Sequence, residues 1–181
     1  MGPITYWLCE KPVIGVVMWI SSLCAFPPLF SNEPIALSIA NSTVSKAFVV
    51  PVDKNYPLTL TFAFESLQAR LSDQIVGDRF DENCYKQERY EDIPENKRSG
   101  LGRPIPFKVS VRRTSDRVVV LNKTFVSLCR ASHNGANEKS RTIAWLELPR
   151  GEYTLEVINL QAQLGLERVK THVSLYAGYG K

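Results

Sequence analysis

The chain has 181 residues, 44% of them hydrophobic and 22% charged, with a net charge of +4 and a pI near 8.9. That is the composition of one globular domain with a real core, and it excludes a disordered or low-complexity protein. The small basic excess is not drawn out along one element with interleaved aromatics, which argues against nucleic-acid binding.

Val13 to Phe26 (VIGVVMWISSLCAF) is an uncharged, mostly apolar run. Its length suits the apolar region of a secretory signal, typically about 7–15 residues. It falls short of the roughly 20 apolar residues that a membrane span needs. Lys11 precedes the run, but Glu10 cancels that charge; Cys24 invites lipidation, but Leu23 stands where a lipobox carries a small residue. Pro27 and Pro28 end the run and begin an extended linker. Residues 1–31 are therefore read as an export signal or membrane anchor with linker, and 32–181 as one domain in the periplasm or cell envelope. The alternatives are a retained tether through residues 13–26, a misplaced start or a buried strand.

Downstream the signal is β. Ile35 to Ile39 and Phe48 to Val52 are short β-type runs, with Asn41-Ser42-Thr43 as a turn between them. Tyr56 to Phe64 (YPLTLTFAF) is the cleanest strand: Tyr56, Leu58, Leu60, Phe62 and Phe64 point one way, Thr59, Thr61 and Ala63 the other. Glu65 to Ile75 then places Leu67, Leu71 and Ile75 at helical spacing, a short amphipathic helix ended by Gly77.

Asp78 to Glu95 carries seven acids (Asp78, Asp81, Glu82, Glu88, Glu91, Asp92, Glu95) and three bases (Arg79, Lys86, Arg89), a local balance of −4. Few apolar groups are available there to bury, so it reads as a long solvated loop. Loops of this length are uncommon in compact domains and often functional. Its acids do not have the spacing of a calcium loop.

β periodicity resumes at Pro104 to Arg112, with Ile105, Phe107, Val109 and Val111 facing in. Thr114-Ser115-Asp116 is a turn and Val118 to Leu128 the return strand. Arg130 to Ser140 reads as a surface loop. Arg141 to Tyr176 opens with alternating Thr142, Ala144, Leu146 and Leu148, turns at Pro149-Arg150-Gly151, and continues with alternating Tyr153, Leu155 and Val157. That spacing predicts a half-buried hairpin. Gln161 to Leu166 connects to a last strand, Arg168 to Tyr176. About eight strands at these spacings predict an all-β, immunoglobulin-like antiparallel β-sandwich with one short helix or long-loop insertion. Tyr153 is expected to close the core while its hydroxyl reaches backbone.

The segments GRPIPFKVSVRR, RTIAWLELPRGEYTLEV and VKTHVSLY, together with YPLTLTFAF, resemble a bacterial, envelope lipoprotein-like family. It is catalogued as domain of unknown function 5625 and is common in Burkholderia-type proteobacteria. The resemblance covers roughly Val44 to Tyr176. It implies an exported, envelope-associated β-sandwich and brings no catalytic residues.

Chemistry is sparse. The two histidines are His133 and His172, and there is no G-x-S-x-G elbow to suggest a hydrolase. His172 falls on a solvated strand face beside Lys170 and Ser174. Cys129 and His133 make one poor pair where a structural zinc site shows two. No two carboxylates can be placed in one cleft by spacing, as a glycosidase would need. No cofactor, metal or catalytic residue is assigned. Cys84 and Cys129 either pair in an oxidising compartment or stay as small semi-buried hydrophobes, and spacing does not decide. Arg112, Arg113 and Arg117 flank one hairpin tip, as a basic contact point for an acidic partner or anionic lipid headgroups, or as solubilising charge. The partner-binding candidates are these arginines and the loop acids Asp81, Glu82, Glu88 and Glu91. The expected function is a non-enzymatic module that binds another protein in the envelope, of an immunity or secretion-associated kind. A self-associating structural component and an envelope hydrolase are the alternatives.

Overall fold

The computed structural model describes residues 28–78, 90–128 and 135–177. Eight strands are present among them: β1 (Phe30–Pro34), β2 (Thr43–Val50), β3 (Lys54–Ala63), β4 (Ile105–Arg113), β5 (Val119–Ser127), β6 (Glu138–Leu148), β7 (Gly151–Asn159) and β8 (Lys170–Leu175). One sheet has the order β1-β8-β3-β6 and the other β2-β7-β4-β5, with every pairing antiparallel. The predicted all-β sandwich of eight strands is the observed one.

The two-residue period builds the core directly. Tyr56, Leu58, Leu60 and Phe62 of β3 are 0% exposed, as are Phe107, Val109 and Val111 of β4 and Leu155 and Val157 of β7. Each such side chain contributes about 1.5–3 kcal/mol on burial. At one side the sheets are closed by an ion pair between Glu33 of β1 and Lys46 of β2. No helix among the described residues is long and apolar enough to cross a membrane.

Three local expectations are corrected. Ile35 to Ile39 is a turn, not a strand. Ile35 and Leu37 are buried as separate anchors, and Asn159 Nδ2 donates to the carbonyls of Leu37 and Ile39, at 3.1 and 2.9 Å, so those groups need no sheet partner. The helix α1 (Leu67–Ser72) exists, N-capped by Ser66, but it buries nothing: Leu67 and Leu71 are 47% and 58% exposed. It is too short to hold a stripe against the sheet, and it stops at Asp73, four residues before Gly77. Finally, β6 begins at Glu138, so Lys139 and Ser140 belong to a strand rather than to the surface loop expected there.

The largest correction is topological. β6 and β7 are not a hairpin: β6 pairs with β3, and β7 pairs with β2 and β4 in the other sheet. The Pro149-Arg150 turn is an arch from one sheet to the other. In the strand order, every connection but the β4–β5 hairpin crosses in this way. The arch is held by side chains. Asp53 Oδ1 accepts from the Arg150 N–H, and the Tyr153 hydroxyl donates to the Pro149 carbonyl at 2.9 Å. The latter is the expected bond, a tyrosine corner near the start of the strand that corresponds to F of an immunoglobulin sandwich.

The central pairings β3·β6 and β5·β4·β7 also follow that plan. The terminal strands do not: β8 lies beside β3, and β2 beside β7. Removing the corner hydroxyl in Tyr153→Phe keeps the ring stacked on Phe48 (centroids 5.9 Å apart) and loses one hydrogen bond. A stability loss of about 1 kcal/mol is expected by urea titration, with an unchanged β-type circular dichroism spectrum.

Candidate functional site

The buried cationic side chains of the domain come from a bulge in β6. Leu58 of β3 faces Ala144, but the next residue, Thr59, faces Thr142, so Ile143 is an extra residue. Beyond it the inward face of β6 changes register. Ala144 and Leu146 point into the core opposite Leu58 and Tyr56, while Arg141 and Lys139 point in opposite Leu60 and Phe62. Simple alternation from Leu148 back to Thr142 predicts Thr142 inward. The bulge puts Arg141 there instead, because a one-residue slip exchanges the two faces of a strand.

Arg141 is 0% exposed. Among the described residues its guanidinium has no carboxylate as a direct partner, and it donates to backbone carbonyls. Nε bonds Val76 O at 2.9 Å, Nη1 bonds Arg103 O at 2.7 Å and Ser127 O at 3.3 Å, and Nη2 bonds Ile75 O at 2.9 Å and also Val76 O. Its other face lies over the Phe62 ring, 5.8 Å from the centroid. Burial pushes the guanidinium down from its ordinary value to about 9, and the nearby Asp73 carboxylate pulls it back up. At neutral pH it remains a cation.

These carbonyls mark a neck. Ile75–Asp78 and Gly100–Arg103 lie side by side, joined by Arg103 N to Ile75 O (2.7 Å) and Asp78 N to Gly100 O (3.0 Å). They are the two ends of the long polar loop. Gly77 and Gly102 sit at φ +80° and +78°, and a Cβ on Gly77 would stand 2.6 Å from the Gly100 carbonyl oxygen. Only glycine permits both that conformation and that approach.

Lys139, also 0% exposed, makes a second pin. Its Nζ pairs with Asp73 Oδ2 at 2.8 Å and Asp78 Oδ1 at 3.1 Å, and lies 5.6 Å from the Phe64 ring centroid. Asp73 also accepts from the N–H groups of Ile75 and Val76, which turns the chain from α1 into the neck. Above the neck, Ile93 and Leu101 form a small separate core with Leu128. Arg98 fastens that part, bonding the carbonyls of Ile93 and Glu91 and covering the Tyr90 ring.

Of the residues expected to act, Glu91 is exposed on this upper part of the loop. Asp81, Glu82, Glu88, Cys84, Cys129 and His133 lie outside the described residues. Arg112, Arg113 and Arg117 do gather at the β4–β5 tip, where Arg112 Nη1 bonds Arg117 O and Arg113 pairs with Asp116. That tip and the neck are at opposite ends of β4, roughly 26 Å apart along the strand at about 3.3 Å per residue. Glu91 and the three arginines therefore lie on two surfaces, not one. His172 sits on the outer face of its sheet between Pro34 and Thr61, half-buried rather than solvated, and its Nδ1 has no hydrogen-bond partner. Among the described residues no three His, Cys, Asp or Glu side chains could hold a metal.

Sequence reasoning missed Arg141 and Lys139. The available signal was two cations in phase with buried positions once a bulge is allowed.

The fold and this neck define an eight-stranded β-sandwich with a pinned loop insertion, a class without a set chemistry. The chain belongs to a family described as a domain of unknown function, DUF5625, whose model matches residues 32–177. No curated protein matches it. It is similar in fold to a solved protein, GEBA250068378 from Sulfurospirillum deleyianum, with a TM-score of 0.60 and 22% identity over 83% of this chain and 98% of that one.

Proposed function

We propose that this domain is a non-enzymatic, exported envelope module that binds another protein through the loop between Gly77 and Gly102. The observation that carries the reading is the neck: a fully buried guanidinium bonds four backbone carbonyls at the base of that loop and the adjoining end of β5. Desolvating a cation is costly and needs compensating hydrogen bonds. Here the compensation comes from the loop's own backbone, so the loop is held at its root. A loop anchored at both ends gives up less conformational freedom on binding than a free one. Its acidic part, Asp78 to Glu95, has a local balance of −4 that suits a basic partner surface. An immunity protein or a secretion accessory factor is the concrete form of such a module.

The test replaces Asp81, Glu82, Glu88 and Glu91 with Ser together and uses the variant as bait in envelope extract. Loss of a salt-sensitive partner held by the unchanged chain is the expected result. Retention of that partner rules the loop out as the contact.

One observation favours self-association as a second reading. β5 is an edge strand with Val119, Val120 and Val126 exposed by 44%, 38% and 53%, although Lys123 interrupts the row. A concentration-dependent size in solution would support it.

A further inference from the structure

The end of the sandwich opposite the loop has its own character. It is built by the β4–β5 tip and the β6–β7 arch, which Thr114 N joins through the Glu152 carbonyl at 2.9 Å. Arg112, Arg117 and Arg150 are exposed there, with Arg113 half-exposed. Two of the acids at this end, both exposed, are engaged as turn caps. Asp53 accepts the Arg150 N–H; Asp116 accepts the Val118 N–H and pairs with Arg113. Glu152 is exposed beside them, so the four arginines of this end exceed these three acids by one. Arg117 holds the left-handed conformation (φ 59°), and Val118, Val119 and Val120, which follow it, are exposed by 51%, 44% and 38%. Outward guanidiniums next to a short exposed apolar run match a surface of anionic headgroups over an apolar layer.

The path of the chain points the same way. β1 enters at Leu29, whose N–H bonds Leu175 O, and runs from the level of Leu58 toward that of Thr61, away from this end. Phe30 lies 5.9 Å from Phe48, which lies 5.9 Å from Tyr153, beside the arch. The described chain therefore enters its first strand heading away from the arginine-bearing end.

We infer that this end of the domain, through Arg112, Arg117, Arg150 and Val118–Val120, docks on a membrane surface of anionic phospholipid headgroups, with the loop facing away. This stands apart from the identity of the loop's partner. The experiment is flotation of the full chain with vesicles of phosphatidylcholine alone or mixed with phosphatidylglycerol, at low and high salt. Residues 13–26 are common to all variants, so the readout is the increment that phosphatidylglycerol adds.

A salt-sensitive increment is expected. The double variant Arg112→Glu/Arg117→Glu lowers it by at least about tenfold, since each basic residue near such a surface contributes about 1 kcal/mol. Lys108→Glu/Lys123→Glu, the same charge change on exposed positions in mid-strand, leaves it within about threefold. Thermal melting verifies that both variants are folded. Equal flotation on the two vesicle types, or an equal loss in both variants, overturns the assignment. Displacement of the chain from anionic vesicles by polyglutamate that binds it more tightly also overturns it, and assigns the end to an acidic protein.

Discussion

Arg141→Met is expected to destabilise the domain by about 3 kcal/mol, read as a lower urea midpoint at unchanged slope. Two effects oppose each other. Removing a buried cation relieves the desolvation that pushes its guanidinium down to about 9. It also strips donors from four carbonyls. Ile75 O keeps the Arg103 N–H, but the carbonyls of Val76 and Arg103 are left facing a thioether. Each orphaned buried carbonyl costs about 1–3 kcal/mol, which exceeds the relief. Lys139 still holds Asp73, so the neck loosens rather than losing every pin. Arg141→Lys recovers less than half of the loss, since one ammonium cannot span carbonyls on both sides of the neck and on β5. Amide exchange at Asp78 and Arg103, whose N–H groups close the neck, speeds up in both variants. Stability within about 0.5 kcal/mol of the unchanged chain for Arg141→Met, inside the range of an ordinary surface substitution, would show that the guanidinium does not hold the loop.

Gly77→Ala has the second large effect, and Gly135→Ala isolates its cause. Both glycines have positive φ, +80° and +66°. Alanine in that conformation costs about 1–2 kcal/mol at either site. A Cβ at position 135 meets nothing within 4 Å, whereas at position 77 it stands 2.6 Å from Gly100 O and Gly102 N and 2.7 Å from Leu101 C. Those are backbone atoms of the facing segment, which cannot move without parting the neck. Gly77→Ala should therefore cost about 3 kcal/mol and Gly135→Ala about 1 kcal/mol. Equal losses by thermal or urea unfolding would mean that the two segments do not approach as described. In Gly77→Ala, binding of the loop's partner is expected to weaken along with stability; in Gly135→Ala it is not.

Strand identity was legible because it depends on neighbours in the chain. YPLTLTFAF alternates over its full length, and Tyr56, Leu58, Leu60, Phe62 and Phe64 are all buried. The same holds for Ile105, Phe107, Val109 and Val111. Tyr153 and its hydroxyl bond were legible for a related reason: a tyrosine just past a tight turn can reach the backbone only a few residues back. The helix stripe was misread because spacing says which residues share a face, not whether anything covers it. Leu67 and Leu71 share a face that meets solvent.

The sequence by itself determined the eight-stranded all-β character, the arginine-bearing β4–β5 tip and the polar insertion between β3 and β4. These rest on periods of two, on turn residues and on local charge. The tertiary structure alone decided that Leu148–Gly151 is an arch rather than a hairpin. Both are two strands and a turn in sequence, and they differ only in which distant strand supplies the hydrogen bonds. It alone decided that Ile143 is a bulge, because a bulge is defined against β3, some eighty positions earlier. From that one extra residue follows the turning inward of Arg141 and Lys139. A buried cation is tolerable only where carbonyls from Ile75, Val76, Arg103 and Ser127 converge on it, and no local pattern records that convergence.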